Sequence, residues 1–107
     1  MTITGSTRLA AVIGSPVRHS LSPALHNAAF EQLGVDWVYA AFDVAPGRAQ
    51  AAVDAMRALG LGGLSVTMPH KEAVAQAVDS VDPAAAALRS VNTVVPEADG
   101  TLKGYST

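Results

Sequence analysis

The sequence predicts an α/β fold: a three-layer sandwich in which a mostly parallel sheet has helices on both faces and ends in an antiparallel hairpin. Short apolar runs rich in β-branched residues alternate with segments whose apolar residues have helical spacing. Strands that alternate with helices in this way form parallel sheets covered on both sides. The turn sequence Glu97-Ala-Asp-Gly100, between two extended runs, predicts the hairpin.

The predicted elements follow the order β-α-β-α-β-α-α-β-β. Strands are expected over residues 9–13, 37–44, 63–67, 91–95 and 101–105, and helices over 23–33, 47–59, 71–78 and 83–88. Ser22 before Pro23 is typical of an N-cap followed by a proline in the first turn, and Gly34 predicts the end of that helix. Asp82 before Pro83 predicts the cap of the last helix.

Length and composition limit the function classes. The chain has 107 residues, of which 50% are hydrophobic and 15% charged, so we expect one small domain with an apolar core. We expect a flexible tail over residues 1–7 and the domain over 8–107. A chain of this length cannot hold both a nucleotide-cofactor domain and a substrate domain.

The composition disfavours several kinds of site and partner. The chain has no cysteine, which excludes thiolate metal sites and a cysteine nucleophile and fits a reducing, cytoplasmic compartment. With a net charge of −2 and scattered basic residues, we expect no binding to nucleic acid. No apolar run is long enough to span a membrane. The histidines lack zinc-helix spacing, so we expect no metal, and without a Gly-x-Gly-x-x-Gly turn we expect no cofactor on this chain.

Two serines stand at the predicted start of the first helix. Ser20 and Ser22 are two residues apart, so in an extended chain their hydroxyls point the same way. The free N–H groups and the dipole of a helix N-terminus favour an anion, and the combination suits a carboxylate. The alternative is that Ser22 only caps the helix and Ser20 is a loop residue.

Lys71 and Asn92 are the other candidates. Thr67 ends a predicted strand and Pro69 is expected to start a helix, which places Lys71 in the first turn, against the helix dipole. That unfavourable position suggests a role in proton transfer, although a solvated surface lysine remains the alternative. Asn92 opens a β-branched run, where its amide can bind a hydroxyl or simply form a turn.

Together these segments resemble the N-terminal substrate-binding domain of shikimate dehydrogenases. The matching motifs are Gly14-Ser-Pro, His19-Ser-Leu-Ser-Pro23, His26-Asn27, Ser65-Val-Thr-Met-Pro-His-Lys71, Val91-Asn-Thr93 and Leu102-Lys-Gly-Tyr-Ser-Thr107. They occur in the family's order across residues 9–107. The family reduces 3-dehydroshikimate to shikimate with NADPH in aromatic amino-acid biosynthesis, and some relatives use quinate or NAD.

The resemblance implies roles for five residues. Ser20 and Ser22, helped by Thr67, would bind the substrate carboxylate. Lys71 and Asn92 would contact the ring hydroxyls, and Lys71 would be the catalytic lysine, working with an aspartate. NADP would serve the full-length parent enzyme.

The sequence departs from the family pattern in three places. Ser65 and Ser106 stand where the family usually has asparagine. The family's Asn-Thr-Asp ending stops here at Thr107, so its aspartate is expected at the next position, with the nicotinamide domain beyond. We therefore expect this chain alone to be inactive.

Alternatives remain open. They are a quinate or shikimate dehydrogenase domain that uses NAD, a stand-alone shikimate-binding module and a purely structural α/β domain. A homo-oligomer is also left open, because an isolated domain can pair through a surface that another domain would cover.

Overall fold

A computed structural model describes residues 2–107; Met1, the first residue of the predicted tail, lies outside the described residues. Six strands and four helices follow one another within them. The strands are β1 (Arg8–Gly14), β2 (Trp37–Asp43), β3 (Gly63–Val66), β4 (Ser80–Val81), β5 (Thr93–Pro96) and β6 (Leu102–Tyr105). The helices are α1 (Ser22–Leu33), α2 (Ala49–Leu59), α3 (Lys71–Ala77) and α4 (Pro83–Leu88).

The strands form one mixed sheet in the order β2-β1-β3-β5-β6-β4. The pairings β1–β2, β1–β3 and β4–β6 are parallel, whereas β5 is antiparallel to both β3 and β6. Five strands therefore share one direction and β5 alone is reversed, which confirms the mostly parallel sheet and the C-terminal hairpin. The reversal also places the start of β5 and the end of β6 at the edge where β1 and β3 end.

The two faces of the sheet are covered unequally. Helices α2, α3 and α4 cover one face over the larger apolar core, to which Val53, Met56 and Val74 contribute. On the other face α1 covers a smaller cluster around Val12 and Tyr39. Because α1 packs mainly on β2, the face of β3 on this side stays open.

Helix α1 is fixed to β2 through Tyr39. The Asn27 side chain accepts a hydrogen bond from the Tyr39 N–H at 2.8 Å and donates one to the Tyr39 carbonyl at 2.9 Å. The rings of His26 and Tyr39 are stacked with centroids 4.2 Å apart. Since β2 has one neighbouring strand, the two backbone groups bound by Asn27 face the open edge of the sheet.

Strand β4 was not predicted. Its two residues are too few to show a period of two, and it forms because β6 lies alongside. Asp79, just before it, donates its N–H to the Leu102 carbonyl at 3.0 Å, and its carboxylate accepts from the Leu102 N–H at 2.7 Å. A tertiary contact therefore creates this strand.

The helix starts differ in part from the prediction. The N-cap of α1 is Leu21 rather than Ser22, and the Leu21 side chain makes no capping hydrogen bond. Helix α3 starts at Lys71, the first residue of the predicted range 71–78; the start also expected at Pro69 is wrong, because the His70 N–H closes a turn onto the Thr67 carbonyl at 3.1 Å. The predicted cap of α4 is confirmed: Asp82 accepts from the Ala85 N–H at 2.9 Å.

The segment before β1 contacts the domain through two hydroxyls. Ser6 and Thr7 donate hydrogen bonds to the Asp36 carboxylate at 3.3 and 2.7 Å. The flexibility expected for residues 1–7 and the domain boundary at residue 8 stay predictions. Among residues 2–107, no helix has the length and apolar character needed to cross a membrane.

Candidate functional site

A groove of about 420 Å³ opens at the carboxyl edge of the sheet, on the face that α1 leaves uncovered. Its lining combines an apolar floor with several hydroxyl groups. The lining residues are Val12, Pro16, Val17, His19, Ser20, Ser22, Ser65, Val66 and Thr67. Ligands of open α/β sheets bind beyond the carboxyl ends of the strands, where this groove lies.

Ser20 and Ser22 form the wall of the groove at the start of α1. The Ser20 Oγ accepts the Ser22 N–H at 3.2 Å, which satisfies one of the free donors of the first turn. Ser22 is the first residue of α1 and not its N-cap, and its hydroxyl makes no capping hydrogen bond. Both serines are half-buried and stand where the positive end of the helix dipole favours an anion.

Thr67 reaches the groove because the chain segments leaving β1 and β3 cross closely. Its N–H donates to the Ile13 carbonyl at 3.0 Å, and the Ser15 N–H donates to the Met68 carbonyl at 3.1 Å. Gly14 stands at the crossing, where a Cβ atom would overlap the Thr67 side chain. The absence of a side chain at Gly14 therefore lets the third hydroxyl come near the two serines.

Lys71 is the first residue of α3, as expected, but it does not line the groove. It borders a neighbouring cavity of about 400 Å³ together with Met68, Leu88 and Arg89. Among residues 2–107 the Lys71 ammonium forms no ion pair and no side-chain hydrogen bond. Its charge is therefore available at the edge of the sheet.

Asn92 lies at the same edge because β5 is reversed. Its Nδ2 donates to the Thr107 carbonyl at 3.1 Å, and its Oδ1 accepts the Thr107 N–H at 3.2 Å. The Asn92 carbonyl accepts from the Val66 N–H at 2.8 Å, next to Thr67. The Asn92 amide thus orders the segment after β6 instead of lining the groove.

The residue that precedes Lys71 anchors this region. His70 is 1% exposed, and its Nε2 lies 2.6 Å from the Val44 carbonyl, just after β2. A carbonyl oxygen only accepts, so the Nε2 carries the hydrogen of this bond. The start of α3 is therefore held against the end of β2, which is separated in the sheet by β1 from the strand that precedes α3.

The structure brings Ser20, Ser22 and Thr67 into one groove and places Lys71 and Asn92 at the same edge, outside its lining. Ser65 also lines the groove, although it was not among the predicted binding residues. A polar residue between Leu64 and Val66 on a core strand was the available signal, because alternation along β3 turns it away from the main core. Residues 2–107 contain no cluster of three histidine or acidic side chains suited to a metal.

Comparison with known proteins decides the family. A family model described as the shikimate dehydrogenase substrate binding domain matches residues 12–94. The chain belongs to the shikimate dehydrogenase substrate-binding domain family. This confirms the resemblance drawn from the motifs, and it confirms the α/β fold expected with it.

Curated relatives match this shikimate dehydrogenase domain over nearly its whole length. It is 53% identical over 107 residues, 100% of the chain, to a shikimate dehydrogenase (NADP(+)) of Citrifermentans bemidjiense. It is 50% identical over 105 residues, 98% of the chain, to one of Methanothermobacter thermautotrophicus. The chain spans 37% of the length of each relative. Both relatives carry the name shikimate dehydrogenase (NADP(+)).

A solved structure shows the same architecture. The crystal structure of a shikimate 5-dehydrogenase from Listeria monocytogenes, in complex with shikimate and NAD, has a TM-score of 0.92 and 45% identity to this domain. The match covers 98% of this chain and 36% of that one. The shikimate dehydrogenase domain described here therefore corresponds to about a third of that protein.

Proposed function

We propose that the chain is the substrate-recognition domain of an NADP-dependent shikimate dehydrogenase, which interconverts 3-dehydroshikimate and shikimate. The convergence of Ser20, Ser22 and Thr67 on one groove carries the proposal. Three hydroxyls from two separate segments, next to a helix N-terminus, suit a small carboxylate with hydroxyl groups.

In this proposal the substrate carboxylate lies at the start of α1. Ser20 and Ser22 donate hydrogen bonds to its oxygens, and Thr67 donates from the opposite wall. The apolar side chains of Val12 and Val17 contact the carbon ring. Hydrogen bonds to a charged group are worth about 1.5–3 kcal/mol each, so the serines supply much of the affinity.

Lys71 and Asn92 act at the hydroxyl end of the substrate. In reduction, the Lys71 ammonium gives a proton to the carbonyl oxygen as that oxygen becomes a hydroxyl, and in oxidation the neutral amine takes the proton back. Asn92 contacts a ring hydroxyl through its amide. Because neither side chain lines the groove, the proposal requires the substrate to extend from the groove toward Lys71.

The residues of this chain do not fit NADP, the cofactor that supplies the hydride in these dehydrogenases. A pyrophosphate turn needs several glycines between a strand and the next helix, whereas only Gly14 occurs between Arg8 and Ser22. We therefore propose that NADP is held outside residues 2–107 and that this chain by itself has no dehydrogenase activity.

Titration of the isotope-labelled 107-residue chain with shikimate, followed by NMR, tests the proposal. Millimolar shikimate is expected to shift the amide resonances of residues around Ser20, Ser22 and Thr67. Ser22→Ala should raise the Kd about tenfold or more, because a hydrogen bond to the carboxylate is lost.

Ser80→Ala provides the matched control, since Ser80 is exposed on β4, far along the sheet from the groove. Its Kd should equal that of the unaltered chain. The methyl ester of shikimate, which has no charge at this end, should bind more weakly than shikimate. If millimolar shikimate causes no shifts in the groove, the proposal is wrong.

Two expectations remain predictions beside this function. One is a cytoplasmic location. The other is a homo-oligomer, and sedimentation velocity at several protein concentrations measures the oligomeric state directly.

A further inference from the structure

Tyr39 on β2 makes a polar contact with the floor of the groove, across β1 and on the face of the sheet that α1 partly covers. Its hydroxyl donates a hydrogen bond to the Ser65 Oγ at 2.8 Å. Tyr39 is 5% exposed and does not line the groove, whereas Ser65 is half-buried and does. The substrate proposed above would therefore meet Tyr39 only through Ser65.

Tyr39 is held in place by α1. Asn27 binds both backbone polar groups of Tyr39, and the ring of His26 lies parallel to the tyrosine ring within 7°. Because Asn27 fixes the backbone of Tyr39 and His26 packs on its ring, the Tyr39 hydroxyl has little freedom to move. The position of the Tyr39 oxygen is thus set by the helix whose first residue, Ser22, forms the groove wall.

The direction of this hydrogen bond decides what Ser65 offers to a ligand. A serine hydroxyl has one hydrogen to donate and can accept through its lone pairs. When Tyr39 donates to the Ser65 Oγ, the Ser65 hydrogen is left for another acceptor. Among residues 2–107 that hydrogen has no acceptor, and Ser65 borders the groove.

We propose that Tyr39 is a positioning residue for substrate binding: its hydroxyl occupies a Ser65 lone pair and thereby directs the Ser65 hydrogen at a substrate oxygen. This inference rests on the function proposed above and adds a fourth hydroxyl to the groove. Without the Tyr39 hydroxyl, Ser65 rotates freely and its donor is no longer aimed before the substrate arrives. Pre-orientation of a donor lowers the cost of binding.

A double-mutant cycle on shikimate binding tests the proposal. Tyr39→Phe removes one oxygen and keeps the ring stacked on His26, and it should raise the Kd about three- to tenfold. Ser65→Ala should raise the Kd at least as much. The double variant should bind no more weakly than Ser65→Ala alone, because Tyr39 acts through Ser65.

Tyr105→Phe is the matched control. The Tyr105 hydroxyl donates to the Glu97 carboxylate at 3.3 Å, at the hairpin and outside the groove, so its removal should leave the Kd unchanged. The proposal is overturned if Tyr39→Phe leaves the Kd unchanged. It is also overturned if Tyr39→Phe raises the Kd by the same factor in the Ser65→Ala background as in the unaltered chain. Either result leaves the proposed function intact. If the unaltered chain does not bind shikimate, both proposals fail.

His26→Ala gives a second route if Tyr39→Phe does not fold. It removes the exposed ring that stacks on Tyr39 and leaves the Tyr39 hydroxyl in place. His26→Ala should raise the Kd about twofold or more when Ser65 is present. In the Ser65→Ala background the same substitution should leave the Kd unchanged. Equal effects in both backgrounds, or none in either, overturn the positioning role.

Discussion

Gly14 controls how closely the two ligand-facing segments approach each other. It ends β1, it is buried, and its backbone runs past Thr67 and the Met68 carbonyl. A Cβ added at Gly14 would overlap the Thr67 side chain, and it would lie only 3.3 Å from the Met68 carbonyl oxygen. Because one of these atoms is backbone, the segment after β3 must shift to make room. Small residues at a crossing of this kind are required by space and not by turn conformation.

Gly14→Ala is expected to lower the free energy of unfolding by about 1–3 kcal/mol, the usual cost of overpacking a filled site. Urea denaturation measures the loss, and amide shifts around Thr67 should report the displacement. Gly63→Ala is the control, because its Cβ would lie 3.9 Å from that of Ala10, an ordinary contact. Equal stability of the two variants would contradict the steric argument.

At the scale of elements, the β5–β6 hairpin is closed by Asp99. Its Oδ1 accepts the Thr101 hydroxyl at 2.6 Å and the Thr101 N–H at 2.9 Å. These hydrogen bonds, the side-chain one foremost, lower the pKa of Asp99 below its ordinary value of 3.8. The charged carboxylate is therefore the form that the folded hairpin prefers.

The lowered pKa of Asp99 makes the stability of the folded chain depend on pH. Because the folded-state pKa is the lower one, the contribution of Asp99 is fully present above the unfolded value and is lost as the pH falls through the folded value. The stability difference between the unaltered chain and Asp99→Asn should be constant from pH 7 to about pH 5 and shrink below about pH 4.

Urea denaturation of both chains across this range measures the difference. Asp43→Asn, an exposed position at the end of β2, controls for the general effect of one removed charge. A difference that is the same at pH 7 and pH 2.5 would exclude a specific role of the Asp99 carboxylate.

The sequence predicts elements better than the contacts between them. Helix α2 was expected from the spacing of its apolar residues and strand β2 from its aromatic and β-branched residues, and both signals are local in the sequence. The reversal of β5 depends on which strand β5 meets, and β4 exists only beside β6. Ser20, Ser22 and Thr67 were found because they follow strands, whereas the bond between Tyr39 and Ser65 spans 26 residues and leaves no local pattern.

At the scale of the whole molecule, the domain is stabilised mainly from one side of the sheet. The larger core lies under α2, α3 and α4, and Met56 is the largest of its fully buried side chains at 1% exposure. Helix α1 has no fully buried residue. The ligand-facing side of the sheet therefore contributes less to stability than the side that faces away from the groove.

Two substitutions on α2 test the assignment of the larger core. Met56→Ala should lower the free energy of unfolding by about 2–4 kcal/mol, because it removes apolar side-chain surface that folding buries and leaves a cavity in the core. Leu59→Ala, three residues along the same helix but 72% exposed, should change it by less than about 0.5 kcal/mol. Thermal unfolding followed by circular dichroism compares them, and losses of similar size would contradict the assigned core.

The pair of hydrogen bonds between Asn27 and Tyr39 has a consequence for the behaviour of the protein at high concentration. Strand β2 is seven residues long, forms the outer edge of the sheet and has its one acidic residue at its end, features that invite strands from other molecules to add on and propagate into fibrils. The side-chain amide of Asn27 takes the place of such a strand at Tyr39, the third residue of β2, and occupies the backbone donor and acceptor of that residue. An incoming chain would have to displace α1 first, so this one side chain protects the sheet against edge-to-edge aggregation.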